Sequence, residues 1–155
     1  MSEHVEQLQR IELFSSLKEE ALRLIARIAR EETHGLGVTL FQHGDPGDKL
    51  FLILEGRVRI SREVPGMGEE ALAVLGPGQI FGEMALLDDS VRSADAHVHE
   101  RCRLLVIPKD GFDDLLFSHK DLAFEVLWST VRILVRRLRE TTDKLTFLSI
   151  SGKFT

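Results

Sequence analysis

The stretch Phe81–Val98, FGEMALLDDSVRSADAHV, changes texture twice and carries a single arginine among four acids. It opens as a glycine-entered helical turn, GEMALLD, and resumes as an extended alternation, DSVRSADAHV. A short helix whose N-terminus runs from Gly82 to Ala85 points unpaired backbone N–H groups outward, and such a terminus suits an anion, most naturally a phosphate. Arg92, entering the extended segment, can face the same point and grip two phosphate oxygens in its planar fork. Glu83 repels a bare anion but accepts a proton from a hydroxyl, an interaction of about 1.5–3 kcal/mol when the acceptor is charged. A nucleotide offers phosphate and sugar hydroxyls together. The competing reading makes Arg92 a structural partner of Glu83, Asp88 or Asp89, and spacing alone leaves both open.

Outward from this stretch, residues 33–108 carry aliphatic and β-branched runs broken by glycine: THGLGVTLFQHG, KLFLILEGRVRIS, EALAVLGPGQIF and ADAHVHERCRLLVIP. They read as an antiparallel β-domain of roughly eight short strands. HGDPGDKL at 43–50 fits a tight turn with Asx hydrogen bonds, and LEGRV at 54–58 a second hairpin corner. LGPGQIFGE gathers Gly76, Gly78 and Gly82 around Pro77, where backbone approaches backbone or a ligand closely. On the N-terminal side, SLKEEALRLIARIA at 16–29 sets Leu17, Ala21, Leu24, Ile25 and Ile28 at helical spacing, with Ser16 and Glu19 placed as a capping box.

Beyond Pro108 the pattern is helical again, first KDGFDDLLFSH and then a long run from Asp121 to Leu148. Along it Leu127, Val131, Leu134, Leu138, Thr141, Leu145 and Leu148 alternate by four and three, six of the seven apolar. That pattern suits the seam of a dimerisation helix, in which the Thr141 hydroxyl needs a partner, and the competing reading is a helix packed only on its own β-domain. The expected plan is one domain over 1–155, with N-terminal helices at 1–32, the β-domain at 33–108 and C-terminal helices at 109–150.

Composition narrows the function classes. Apolar residues at 43% and charged residues at 29% are ordinary for a globular chain, and a net charge of −5 argues against a general nucleic-acid surface. Arg132, Arg136, Arg137 and Arg139 read as the solvated face of the long helix. The polar start MSEHVEQLQR and the lack of any apolar run near about 18 residues point to a cytoplasmic protein without a membrane segment. Cys102, alone in RCRLLVIP, reads as a buried inert thiol. No hydrolase-like Ser, His and acid spacing is visible, and His97 with His99 lacks a third metal ligand, so neither an enzyme nor a metal site is expected.

FGEMALLDDSVRSADAHV resembles the phosphate-binding cassette of cyclic nucleotide-binding domains, F-G-E-L/M-A-L, a variable loop, then R-A/T/S-A. GDPGDKLFLILEGRVRI resembles the same family's G-D-x-x-D, strand and E-G-x-V/A segment, and the likeness covers essentially residues 10–150. VRRLRETTDKLTFLSISGK is similar to the central dimerisation helix and hinge of the bacterial catabolite activator protein family.

The resemblance implies an α+β, mainly β fold. An antiparallel β-roll, or double-stranded β-helix jelly roll, would carry N-terminal helices, a short phosphate-cassette helix and a long C-terminal dimerisation helix. It further implies that Glu83 accepts the ribose 2′-hydroxyl and that Arg92 neutralises the cyclic phosphate. Gly82, Ala85 and Ser93 would surround that phosphate, with Met84 beside them in the cassette, and Thr141 and Thr142 would meet the adenine amino group from both subunits.

Val91 stands where proline is common in that family, Asp95 where a small residue or threonine is, and Asp88 and Asp89 add charge to the loop. FLSISGKFT stops without a winged helix-turn-helix, so no recognition helix is expected in this chain. The function implied is a homodimeric sensor of a cyclic nucleotide, cAMP first, held as a ligand and not as a catalytic cofactor. It would signal allosterically to an unknown effector protein or output domain. The alternatives are a ligand-free β-roll scaffold, or a regulatory fragment of a transcription factor that answers to cGMP or a cyclic dinucleotide.

Overall fold

Residues 50–53 and 104–107, LFLI and LLVI, are apolar at every position because both faces of this part of the sheet are covered. Leu50, Leu52, Leu105 and Ile107 face a cluster with Leu8, Phe14, Leu22, Ile25, Phe112, Leu122 and Val126 from the helical segments. The alternate residues Phe51, Ile53, Leu104 and Val106 pack with Val58, Phe81, Ala96, Val98 and Cys102 on the opposite face. Each large side chain so buried contributes about 1.5–3 kcal/mol. Cys102 is buried as its apolar setting implied, and burial raises its thiol pKa.

The computed structural model describes residues 2–83, 86 and 88–153. Helix α1 (Ser2–Gln9), a 3-10 turn (Glu12–Phe14) and helix α2 (Glu19–Ile28) precede strands β1 (Arg30–His34), β2 (Thr39–Phe41), β3 (Lys49–Val64), β4 (Gly68–Leu75), β5 (Ile80–Phe81) and β6 (Asp95–Pro108). Helices α3 (Lys109–Ser118) and α4 (Lys120–Lys153) follow. The strands form one antiparallel sheet in the order β1-β6-β3-β4, with β2 also on β6 and β5 also on β3.

Three local expectations are corrected. The described residues contain six strands and not eight, because β3 and β6 are long bent strands of 16 and 14 residues that each take the place of two short ones. LEGRV is not a hairpin corner: it lies inside β3, whose two halves both pair with β6 across register slips between Ile53 and Val58. Gly56 makes that bend, with φ at +87° and its Cα facing the Arg101 carbonyl. The capping box also fails. Helix α2 is entered at Lys18 without a side-chain cap, while the Ser16 hydroxyl is 2.9 Å from that of buried Ser129 on α4.

Helix α4 is 34 residues, about 50 Å at 1.5 Å per residue. Its first turns bury Leu122, Val126 and Ser129, and Ile133 packs against the same core. Residues 134–150 are exposed, and the seam leucines Leu138, Leu145 and Leu148 are more than 60% open to solvent. That contiguous apolar face is larger than a lone surface helix ordinarily shows.

Gly56→Ala would set a Cβ 2.2 Å from the Arg101 carbonyl oxygen, at a backbone conformation side chains rarely adopt. We expect it to lower the unfolding free energy by about 2 kcal/mol or more. A urea titration showing an unchanged midpoint would contradict this account of the bend.

Candidate functional site

Arg92 lies outside the named strands, and the turn before β3 holds its backbone. The Arg92 N–H donates to the Asp45 carbonyl at 2.8 Å, Gly44 N–H donates to the Arg92 carbonyl at 2.8 Å, and Pro46 bridges Val91. The turn closes on itself as the Asx pattern implied, with Gln42 N–H donating to Asp45 Oδ2 at 2.9 Å and Gly44 at φ +92°.

The side chain of Arg92 is buried, 5% exposed. Its Nη2 donates to the Lys49 carbonyl at 2.8 Å and its Nη1 to the Gly82 carbonyl at 3.3 Å, while the guanidinium lies 4.3 Å from the ring centre of Phe41. Phe51 and Phe81, stacked at 4.8 Å, lie beyond Phe41. Nε is buried and has no partner. Among the described residues Asp48 pairs with the guanidinium, at 3.9 Å and largely in solvent. Burial lowers the guanidinium pKa, opposed by the charges of Asp48 and Asp45. The ion pairs with Glu83, Asp88 or Asp89 that spacing left open are not formed.

Gly82 makes room for this arrangement. Its φ is +78°, and a Cβ there would lie 2.6 Å from Arg92 Nη1 and 3.0 Å from the Lys49 carbonyl. A cavity of about 280 Å³ opens here, lined among others by Phe41, Ile80, Gly82, Glu83, Arg92 and Ser93. A second cavity, about 330 Å³, shares Ile80 and Glu83 with the first and runs between Leu13, Thr130, Ile133, Leu134 and Arg137. Glu83 therefore stands where the two meet. Its carboxylate is 3.5 Å from Arg137 Nη2 on α4.

The structure thus brings Gly82, Glu83, Arg92 and Ser93 around one cavity. Met84 and Ala85, and with them the short cassette helix, lie outside the described residues. Thr141 and Thr142 are exposed on α4 and line neither cavity. Asp88 and Asp89 point to solvent, Asp88 accepting from Ser90 N–H at 2.9 Å. Asp95 turns inward and accepts the His43 N–H at 2.6 Å. Phe41, the Lys49 carbonyl and Arg137 escaped the sequence reading. A backbone acceptor leaves no residue-type signal, and Arg137 is indistinguishable in sequence from the other arginines of residues 132–139. Among the described residues no cluster of three or more His, Cys, Asp or Glu could hold a metal ion, and no helix is long and apolar enough to cross a membrane.

A bent antiparallel sheet flanked by helices, with a cavity where its glycine-rich approach meets the long helix, defines a β-roll binding module. The chain belongs to the cyclic nucleotide-binding domain family, which residues 32–119 match. The cyclic AMP receptor protein of Thermus thermophilus is 36% identical over 137 residues, 88% of this chain and 62% of that protein. A CRP-like cAMP-activated global transcriptional regulator of Mycobacterium tuberculosis is 29% identical over 149 residues, 94% of this chain and 65% of that protein. The chain therefore spans less than two thirds of either relative. The N-terminal domain of a transcriptional regulator from Streptomyces coelicolor superposes with a TM-score of 0.77 at 34% identity, covering 88% of this chain and 95% of that one.

Beside the second cavity, Arg136 grips Glu12 with both Nη atoms, docking α4 on the 3-10 turn. These hydrogen bonds hold the Glu12 carboxyl below its ordinary value of 4.5. A depressed folded-state pKa means the pair stabilises the fold above the unfolded value and the contribution fades as pH falls through the folded one. Both side chains are about half exposed, so solvent screens the pair and keeps the gain small. Glu12→Gln should lower the melting temperature slightly near neutral pH, with the gap closing below pH 4.5. A gap independent of pH in calorimetric melts would contradict this.

Proposed function

We propose that this chain is a sensor module that binds cAMP and acts as a homodimer without catalysis of its own. The observation that carries the reading is the buried Nε of Arg92, a charged donor with no partner beside a cavity of about 280 Å³. Such a donor is costly to leave unmade and is matched by an anionic oxygen. The cyclic phosphate would take that position, with Gly82, Met84, Ala85 and Ser93 around it. Glu83, between the two cavities, would accept the ribose hydroxyl. The base would lie between Ile80 of β5 and Ile133 and Leu134 of α4, the apolar part of the second cavity's wall.

Thr141 and Thr142 would reach the adenine only across a subunit interface, which the exposed seam from Leu127 to Leu148 would supply. A ribose hydroxyl on Glu83 competes with Arg137 for the same carboxylate. The nucleotide would thus bias α4 through its differential affinity for the helix arrangements, and α4 would carry the signal to an effector in the cytoplasm. The cyclic AMP receptor protein of Thermus thermophilus and the cAMP-activated regulator of Mycobacterium tuberculosis support cAMP over cGMP or a cyclic dinucleotide.

Arg92→Ala should weaken cAMP binding at least about tenfold, or about 1.4 kcal/mol, in calorimetric titration. An isotherm identical to the wild type would overturn the role given to Arg92. Sedimentation of the wild type as a monomer in saturating cAMP would remove the cross-subunit part of the reading.

A further inference from the structure

We infer that Asp95 is a positioning residue for Arg92: its buried carboxylate fastens the turn that holds the Arg92 backbone, and so sets the affinity of the phosphate subsite. The inference rests on the nucleotide reading above. Asp95 is one of the few buried charged residues among those described, together with Arg92 itself. Neither Asp95 nor His43 lines the Arg92 cavity. An effect of Asp95 on the ligand must therefore pass through the protein.

The connection can be followed atom by atom. Residues 91–94 belong to no named strand, so the Arg92 backbone relies on the turn at 42–46, through Asp45 and Gly44 at 2.8 Å each. Asp95, the first residue of β6, ties that turn to the sheet with the 2.6 Å hydrogen bond from His43 N–H to its Oδ1. It is the side-chain link from the turn to the sheet, whereas the Asp45 carboxylate, which accepts the Gln42 N–H, closes the turn on itself. A charged acceptor makes it stronger than the two backbone-to-backbone links that hold Arg92. The acceptors of the guanidinium lie elsewhere, Lys49 at the start of β3 and Gly82 after β5.

Loosening the turn would therefore move the Arg92 backbone relative to the carbonyls that aim its fork. The other Asp95 oxygen, Oδ2, stands 4.0 Å from His97 Nε2, beyond hydrogen-bond reach. The His43 contact is thus the hydrogen bond the proposal uses.

The test uses the full chain with Asp95→Ala and Asp95→Asn, the latter keeping an acceptor oxygen. Without ligand, amide hydrogen exchange at Gly44 and Arg92 should quicken at least about tenfold in Asp95→Ala. cAMP affinity in calorimetric titration should fall about five- to tenfold, and Asp95→Asn should return both readouts to within about twofold of wild type. In an Arg92→Ala background, Asp95→Ala should change the affinity by less than about twofold, because the two act through one group.

Faster exchange at His43 alone with unchanged cAMP affinity would reduce Asp95 to a turn cap and overturn the inference. The same fold-loss with and without Arg92 would also overturn it. Where Asp95→Ala does not fold, Asp95→Ser, whose hydroxyl is one bond shorter, takes its place. A wild type that binds no cAMP would overturn the nucleotide reading and, with it, the claim on affinity. Exchange at Arg92 would still decide whether Asp95 positions that residue.

Discussion

A guanidinium 5% exposed, whose ion pair with solvent-exposed Asp48 is 3.9 Å long, is the constraint around which the rest of this structure is arranged. Burying an isolated charge is strongly unfavourable unless neighbouring groups replace its water. Here two main-chain carbonyls and the face of Phe41 do so. The carbonyls satisfy hydrogen bonds but carry no net charge, and Asp48 is too far out in solvent to neutralise the group. The positive charge of Arg92 is therefore held in place and offset only by the 3.9 Å pair with solvent-exposed Asp48, the electrostatic setting on which the proposed anion site rests.

Holding it there makes demands that reach through the fold. Gly82 must lack a Cβ, because one would press on the guanidinium at 2.6 Å. Lys49 must begin β3 in register with Pro108 of β6, so that its carbonyl stands still. That register follows from two apolar runs whose alternate residues fill both sides of the sheet. Gly56 lets β3 bend and keep β6 as partner along both halves. Binding geometry and core packing are thus set by the same pair of strands.

The cassette and the long helix were legible because each is written in residue types: glycine, glutamate and arginine at fixed spacing, and leucines four and three apart. The strand count was not, since a bulge inside a long strand and a hairpin corner between two short ones both show a glycine amid apolar residues. Ser16 and Glu19 had the spacing of a capping box, but the helix begins at Glu19 and Ser16 finds a buried hydroxyl on α4 instead. Arg136 and Arg137 looked like a solvated charge run. They reach Glu12 and Glu83, contacts 124 and 54 residues distant in sequence that no local pattern encodes. Asp95 looked like an awkward charge beside the cassette, and the fold turns it away from the cavity to hold a backbone N–H.

Contact between the Nε–H of Arg92 and the proposed phosphate is open to direct observation by ¹H–¹⁵N spectroscopy of that group during titration with cAMP. The Arg92 Nε–H resonance is expected to shift downfield and saturate as one nucleotide binds per chain, with the signal persisting at pH values where solvent exchange erases exposed arginines. An Nε–H resonance that stays in place while cAMP binds elsewhere, or throughout a titration without binding, would contradict it.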